Sequence, residues 1–303
     1  VPKLGQFKPQ ELANTAWAYA TAGRAAPALF DAIAKAAVPK LGEFNPQALA
    51  NTAWAYATAG RAAPELFDAM AKAAVPKLGE FKPQELANTA WAYAVADVPA
   101  ESLVGNARFV DCCAKVDLST ENHRQLHQYS LWLDERALPW PRLPADLRER
   151  CRVTFSAMPG SPSKLQGQVT RALAGLGLEP REEVITPQGY SLDAVVHVGG
   201  RDVAVEVDGP SHFVGRAPNG TTLLKRRQLR AFGWALVDVP YWEWDALSGE
   251  QEKASYLQSK LAAAGSGGDG DVHEPQLFKK PRGRPPSGQV WQGTKEAGRW
   301  VQE

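Results

Sequence analysis

Phe7-Lys-Pro-Gln-Glu-Leu-Ala-Asn-Thr-Ala-Trp-Ala-Tyr-Ala20 returns as Phe44-Asn-Pro-Gln-Ala-Leu-Ala-Asn-Thr-Ala-Trp-Ala-Tyr-Ala57, and again, nearly unchanged, from Phe81 to Ala94. Copies of one 37-residue unit therefore begin at Val1, Val38 and Val75, and a period of this length signals a solenoid of stacked hairpins. Pro9, Pro46 and Pro83 stand where a first helical turn tolerates proline, and Gly23 and Gly60 where a helix stops. Helix A of the first unit is thus predicted from about Pro9 to Ala22, and Pro27 and Pro64 open the B helices. Along helix A, Leu12, Ala16 and Tyr19 share one side, with Ala13, Trp17 and Ala20 beside them, while Leu29, Phe30 and Ile33 give helix B its apolar stripe. A hairpin this small cannot bury its own apolar face, so stacking is obligatory and the many alanines let the helices approach closely.

The 37-residue unit resembles the octotricopeptide repeat, which implies RNA binding; in helical-repeat readers of RNA a few side chains per repeat contact one base, so a code is sought where near-identical repeats differ. The units differ at Gln6/Glu43/Glu80, Lys8/Asn45/Lys82 and Glu11/Ala48/Glu85, all near the start of helix A, but not at Asn14/Asn51/Asn88. Lys8, Asn45 and Lys82 are accordingly the candidate base readers, with drift on a solvated face as the alternative. The asparagines suit internal hydrogen-bond ladders. Trp17, Trp54 and Trp91 could stack bases, but aromatics at helical spacing are expected in the core. The third unit loses the pattern at Val95-Ala-Asp-Val-Pro, and further repeats are expected before Val1.

The second informative stretch runs from Ser191 to Phe213 and reads as two strands joined by the two-residue turn Gly199-Gly200. Such a turn fixes the register: Val198 faces Arg201, which places Asp193 opposite Glu206, with Asp208 two residues along the same face. Three carboxylates on one face repel and cost solvation, and a metal-dependent nuclease site is one arrangement that compensates them. Asp193, Glu206 and Asp208 are therefore candidate catalytic residues and candidate ligands for Mg²⁺ in that case. In the alternative, Asp208-Gly209 begins a turn and Glu206 pairs with Arg226 or Arg227. Lys225, Arg226, Arg227 and Arg230 on the helix that follows fit a row of phosphate-binding side chains. His212 is a base or a hydrogen-bonded turn residue.

Leu192-Asp193, Glu206-Val-Asp-Gly-Pro-Ser-His-Phe213, Thr222-Leu-Leu-Lys-Arg-Arg-Gln-Leu229, Gly233-Trp234 and Val239-Pro-Tyr-Trp-Glu-Trp244 resemble the RAP domain, over about Ser161 to Leu261. RAP domains close many organellar RNA-binding proteins, among them the Fas-activated serine/threonine kinase-like family and the algal octotricopeptide-repeat proteins, whose repeats the 37-residue unit resembles. The resemblance implies a fold like the very-short-patch-repair and PD-(D/E)XK nucleases, with Asp193 and Glu206 at the first and second acid positions. The lysine expected two residues after Glu206 is replaced by Asp208, which favours binding over cleavage, although Lys225 could supply the charge from another position.

These readings give an α-solenoid followed by an α/β RAP domain: helical repeats over 1–96, a helical cap over 97–160, the RAP domain over 161–263 and a tail over 264–303. Helices are expected at 107–115, 122–135, 144–151, 163–174, 222–232 and 249–263, and strands at 182–186, 190–198, 201–208 and 234–239. The tail shifts to Gly, Ser and Asp and should be disordered. Its Arg282 and Arg284 flank a glycine as in an AT-hook, an expected contact for A·T-rich DNA. No apolar stretch approaches the ~20 residues needed to cross a bilayer. Net charge is only +1, so nucleic-acid binding must rest on local clusters. Three cysteines, two of them adjacent, make neither a disulfide framework nor a zinc pattern and suit a reducing interior.

The expected function is a single-stranded RNA-binding protein that acts in RNA processing, stability or translation with ribonucleoprotein partners. It needs no cofactor for binding, and the resemblance places it in the mitochondrial matrix or chloroplast stroma. A Mg²⁺-dependent endoribonuclease and a protein-recruiting helical scaffold are the alternatives.

Overall fold

Residues 3–157, 162–265 and 278–279 are described by a computed structural model. A helical region of stacked hairpins is followed by a mixed α/β region. The chain divides into two compact units, the first taking in residues up to Ala157 together with Pro210–Gln228, the second the intervening residues to Gly209 and those from Leu229 onward.

In the first unit the repeat punctuation acts as read. The A helices are α1 (Pro9–Thr21), α3 (Pro46–Thr58) and α5 (Pro83–Ala96), and the B helices α2 (Pro27–Ala37) and α4 (Pro64–Ala74), each with proline in its first turn. Helix A of the first and second units ends into Gly23 and Gly60, both at positive φ, and Asp97 adopts the same left-handed conformation after α5. The stretch after the third repeat forms α6 (Ala107–Ala114), α7 (Thr120–Glu135) and α8 (Ala145–Ser156), the first two close to the expected bounds and α8 running on to Ser156 where its end was expected at Cys151. α1 packs on α3, α3 on α5, α5 on α7 and α7 on α8.

The joints between hairpins are themselves repeated. Tyr56 Oη donates to the carbonyl of Phe30 and Tyr93 Oη to that of Phe67, 2.5 and 2.7 Å, each ring meeting the phenylalanine edge-on at 5.0 Å. Burial pushes both phenols far above their usual range, Asp31 and Asp68 respectively adding to it, so both remain protonated donors. Tyr129 of α7 continues the pattern, donating to Val104 O and leaning on Phe109. The cap thus repeats the hairpin joint once more. On the other side Lys40 Nζ bridges the carbonyls of Gly5 and Phe7, and Lys77 those of Gly42 and Phe44.

Pro210–Gln228 is packed with these helices. Phe213–Val214 (β4) and Ala217–Pro218 (β5) form a small hairpin, and α10 (Gly220–Ala231) follows, one of its first-turn N–H groups capped by Asn219, whose Oδ1 accepts from Thr222 N. The segment runs across the C-terminal ends of successive A helices. A Cβ on Gly215 would meet Ala25, one on Gly220 would lie 2.0 Å from the Ala57 carbonyl oxygen, and one on Gly60 would lie 3.0 Å from Pro218 O. Leu224 is fully buried in the helical core.

In the second unit, β1 (Arg181–Ile185), β2 (Ser191–Val198), β3 (Arg201–Asp208) and β6 (Ala235–Pro240) make a four-strand sheet in the order β6-β3-β2-β1. Val198 pairs Arg201 across Gly199 and Gly200, both at positive φ, as the two-glycine turn requires. β6 adds parallel to β3, Glu206 beside Asp238. Val169 and Leu173 of α9 (Lys164–Gly175), with Leu257 and Leu261 of α12 (Gly249–Gly265), cover Val203, Val205, Val207, Val237 and Val239 on one face. The strand alternation puts Ala204, Glu206 and Asp208 on the other face. The short helix α11 (Tyr241–Asp245) carries Trp244, whose Nε1 donates to Gln168. The expected tail differs at its start, since Ala264 and Gly265 still belong to α12, and Phe278–Lys279 (β7) pairs with Val184 and Ile185 at the sheet edge. Arg282 and Arg284 lie outside the described residues.

Candidate nucleic-acid interface

The outward face of each A helix repeats glutamine, asparagine and tryptophan at i, i+4 and i+7, one turn apart on a 3.6-residue helix. Gln10, Gln47 and Gln84 are exposed; Asn14 is exposed, and Asn51 and Asn88 are half-buried. Trp17 is 45% exposed and Trp54 half-buried, their rings 6.5 Å apart and tilted by 34°. This corrects, for Trp17, the expectation that the tryptophans are core, while Trp54 packs against the core at one side. Only Trp91 is buried, and its Nε1 donates to Gln128 of α7. The outcome differs between identical residues because α7 covers the third repeat. The asparagine ladder is found at that covered end, where Gln84 and Gln125 both donate to Asn88 Oδ1 and Asn122 donates to Gln84.

Lys8, Asn45 and Lys82 are exposed N-cap residues. At Lys8 and Lys82 the backbone N–H donates to Glu11 and Glu85, both at 2.8 Å, whereas Asn45 uses its own Oδ1 to accept from Ala48 N. The Lys/Glu and Asn/Ala exchanges are therefore two ways of capping the same helix. That accounts for why the two positions change together.

On α10, Arg227 is turned inward to the helical unit. Its Nε meets Glu135 Oε1 at 2.6 Å, and its two terminal nitrogens donate to the carbonyls of Val95 and Ala94 at the end of α5. Glu135 has 4% of its side chain exposed. The next residue, Gln228, donates to Gln128 O. Lys225 and Arg226 are half-buried and Arg230 is exposed. The carbonyl of His212 accepts from Asn219 N and Thr222 Oγ1, which holds the turn before α10.

In the sheet unit, continuing the hairpin register one step sets Asp193 across from Glu206, as the sequence implied, and the parallel pairing adds Asp238 beside Glu206. Asp238 was not singled out from the sequence, since only the β3–β6 pairing, across a long crossover, brings it there. Glu206 and Asp208 are 3% and 2% exposed. Asp193 is fixed at both ends: Oδ2 accepts from Val207 N at 2.7 Å and its carbonyl accepts from the buried Gln166 amide. The Gln166 amide also donates to Glu183, a residue at positive φ where the β1–β2 ladder skips a pair. Among the described residues no group of three or more His, Cys, Asp or Glu is placed to hold a metal ion. Asp193 takes a strand N–H, and Asp208 lies a strand repeat, about 7 Å, beyond Glu206. Among the described residues no helix is long and apolar enough to cross a membrane.

Residues 205–260 match the RAP domain. The chain is 42% identical over 101 residues to a chloroplastic RAP domain-containing protein of Oryza sativa subsp. japonica, covering 33% of this chain and 15% of the rice protein. It is 36% identical over 81 residues to FAST kinase domain-containing protein 3, mitochondrial, of Bos taurus, 26% of this chain and 12% of that one. A match to FAST kinase domain-containing protein 4 of Mus musculus is 44% identical over 45 residues, 15% of this chain and 7% of that one. The chain thus spans less than a fifth of the length of these relatives.

Proposed function

We propose that this RAP-domain chain is an RNA-binding factor of mitochondria or chloroplasts, in which the helical repeats, of octotricopeptide type, hold single-stranded RNA that the protein does not cut. The observation that carries the reading is the stripe of carboxamides and indoles, exposed on α1 and half-buried at Asn51 and Trp54 on α3, on a chain with almost no net charge. Amides meet base edges and indole faces stack on bases, which a single strand presents and a duplex hides. Lys8 and Lys82, at the exposed N-termini of their helices, and Arg230 supply phosphate contacts, where an anion also meets the positive end of the helix dipole. Arg227 contributes to the architecture instead, because its guanidinium is committed to Glu135 and two carbonyls.

The test is to incubate the full chain with labelled single-stranded RNAs, with Mg²⁺ or with EDTA, and to follow retention and fragment length. Retention of intact RNA under both conditions, weakening with salt at a slope of roughly −0.7 per phosphate contact, is the expected outcome. Failure to retain any RNA overturns the reading, and shortening only with Mg²⁺ overturns its non-cleaving part.

A further inference from the structure

Resting on the RNA-binding reading above, we infer that the repeats read the same base at each step, so that the preferred ligand is a homopolymeric run within a single-stranded RNA. The inference comes from what the solvent face holds constant. Asn14, Asn51 and Asn88 occupy equivalent places on three adjacent A helices, with Trp17 and Trp54 one turn beyond the first two.

Neighbouring packed helices are about 8–10 Å apart, so the first two repeats offer Asn14 and Asn51 at that interval, while Asn88 Oδ1 is taken up by Gln84 and Gln125. Each amide presents a paired donor and acceptor to a base edge. A ligand group that satisfies one repeat satisfies the next only when the same group recurs. Two of the three sets that vary near the starts of the A helices, residues 8, 45 and 82 and residues 11, 48 and 85, serve helix capping, and the third, Gln6, Glu43 and Glu80, lies in the short turns before the helices. Stacking on the indoles is tolerant of base identity, so Trp17 and Trp54 add affinity while the asparagines select.

The experiment measures affinity of the full chain for twelve-nucleotide oligo(A), oligo(U) and oligo(C) against mixed-sequence RNAs of the same length. One homopolymer should bind at least about tenfold more tightly than the mixed sequences, the discrimination of one good paired contact. A single foreign base placed in the run should cost a similar factor. Asn14→Asp, at an exposed position whose change leaves the core alone, replaces a donor and acceptor with acceptors only and should change which base is preferred at one step while leaving the others. Trp17→Ala should weaken all sequences alike. Equal binding of homopolymers and mixed sequences overturns this inference while leaving RNA binding intact, whereas binding of no RNA at all overturns the reading on which it rests.

Discussion

Arg227 reaches from α10 to Glu135 at the end of α7, 92 residues away in sequence, and closes over the last carbonyls of α5 on the way. A fork of five donors suits this task, and the point charge of lysine cannot reproduce it. Removing one partner of a buried pair leaves the other uncompensated, at about 3–5 kcal/mol. Arg227 keeps 26% of its side chain exposed, so Arg227→Ala is expected at the lower end, about 3 kcal/mol, and Arg227→Lys should recover little of it. Urea denaturation of the full chain measures this. Unchanged stability with weakened RNA retention would instead return Arg227 to the row of phosphate contacts.

The tyrosine joints give an internal comparison. Tyr56→Phe and Tyr93→Phe each remove a hydroxyl from a buried carbonyl and should each cost about 1 kcal/mol. Tyr19 occupies the same place in the first repeat but is 40% exposed, and Tyr19→Phe should be close to neutral. Equal losses at all three positions would mean that the effect of the hydroxyl does not depend on its bond to a buried carbonyl, and no loss at Tyr56 and Tyr93 would mean that the joints hold through ring packing alone.

How far the sequence reached follows from the range of each interaction. Pro9, Gly23, Pro27 and the Gly199-Gly200 turn act within a few residues, so helix bounds and hairpin register could be read directly. Exposure of Trp17 and Trp54 against burial of Trp91 could not, since identical residues differ only in what stands beside them. The carboxylate face was half legible: the hairpin fixed Asp193 and Glu206, but the parallel partner Asp238 and the turning of Asp193 onto Val207 N depend on the folded sheet. The grouping of Pro210–Gln228 with the repeats left no local signal, because its contacts to the helices are to residues far earlier in the chain, from Glu135, 92 positions away, to Ala57 and Ala94.

Gly220 tests that grouping. A methyl group there would sit 2.0 Å from the Ala57 carbonyl oxygen and 2.9 Å from Val95 Cγ1, and a backbone atom cannot rotate away. Gly220→Ala should destabilise by about 1–3 kcal/mol, the usual range for overpacking. Gly209, with open space around its Cα and no left-handed backbone, serves as the control: Gly209→Ala should be neutral within about 0.5 kcal/mol. Similar behaviour of the two variants would show that the segment does not press against the A helices.

The cysteines report on the same helical unit without mutation. Cys113 and Cys151 are fully buried. Burial pushes the Cys113 thiol far above its usual range, with Cys112 and Cys151 adding to it, and pushes Cys151 up to about 12. The thiolate is the reactive form, so at neutral pH an aromatic disulfide reagent should modify at most Cys112 of the three in the folded chain, and all three after denaturation. Labelling of Cys113 and Cys151 must then wait for opening of the helices around them. Where reclosing outpaces labelling, its rate follows the open population. Arg227→Ala, if it costs about 3 kcal/mol, should accelerate both modifications on the order of 100-fold, since each 1.4 kcal/mol is a factor of ten. An unaltered rate would mean that α6 and α8 open independently of the segment that Arg227 holds.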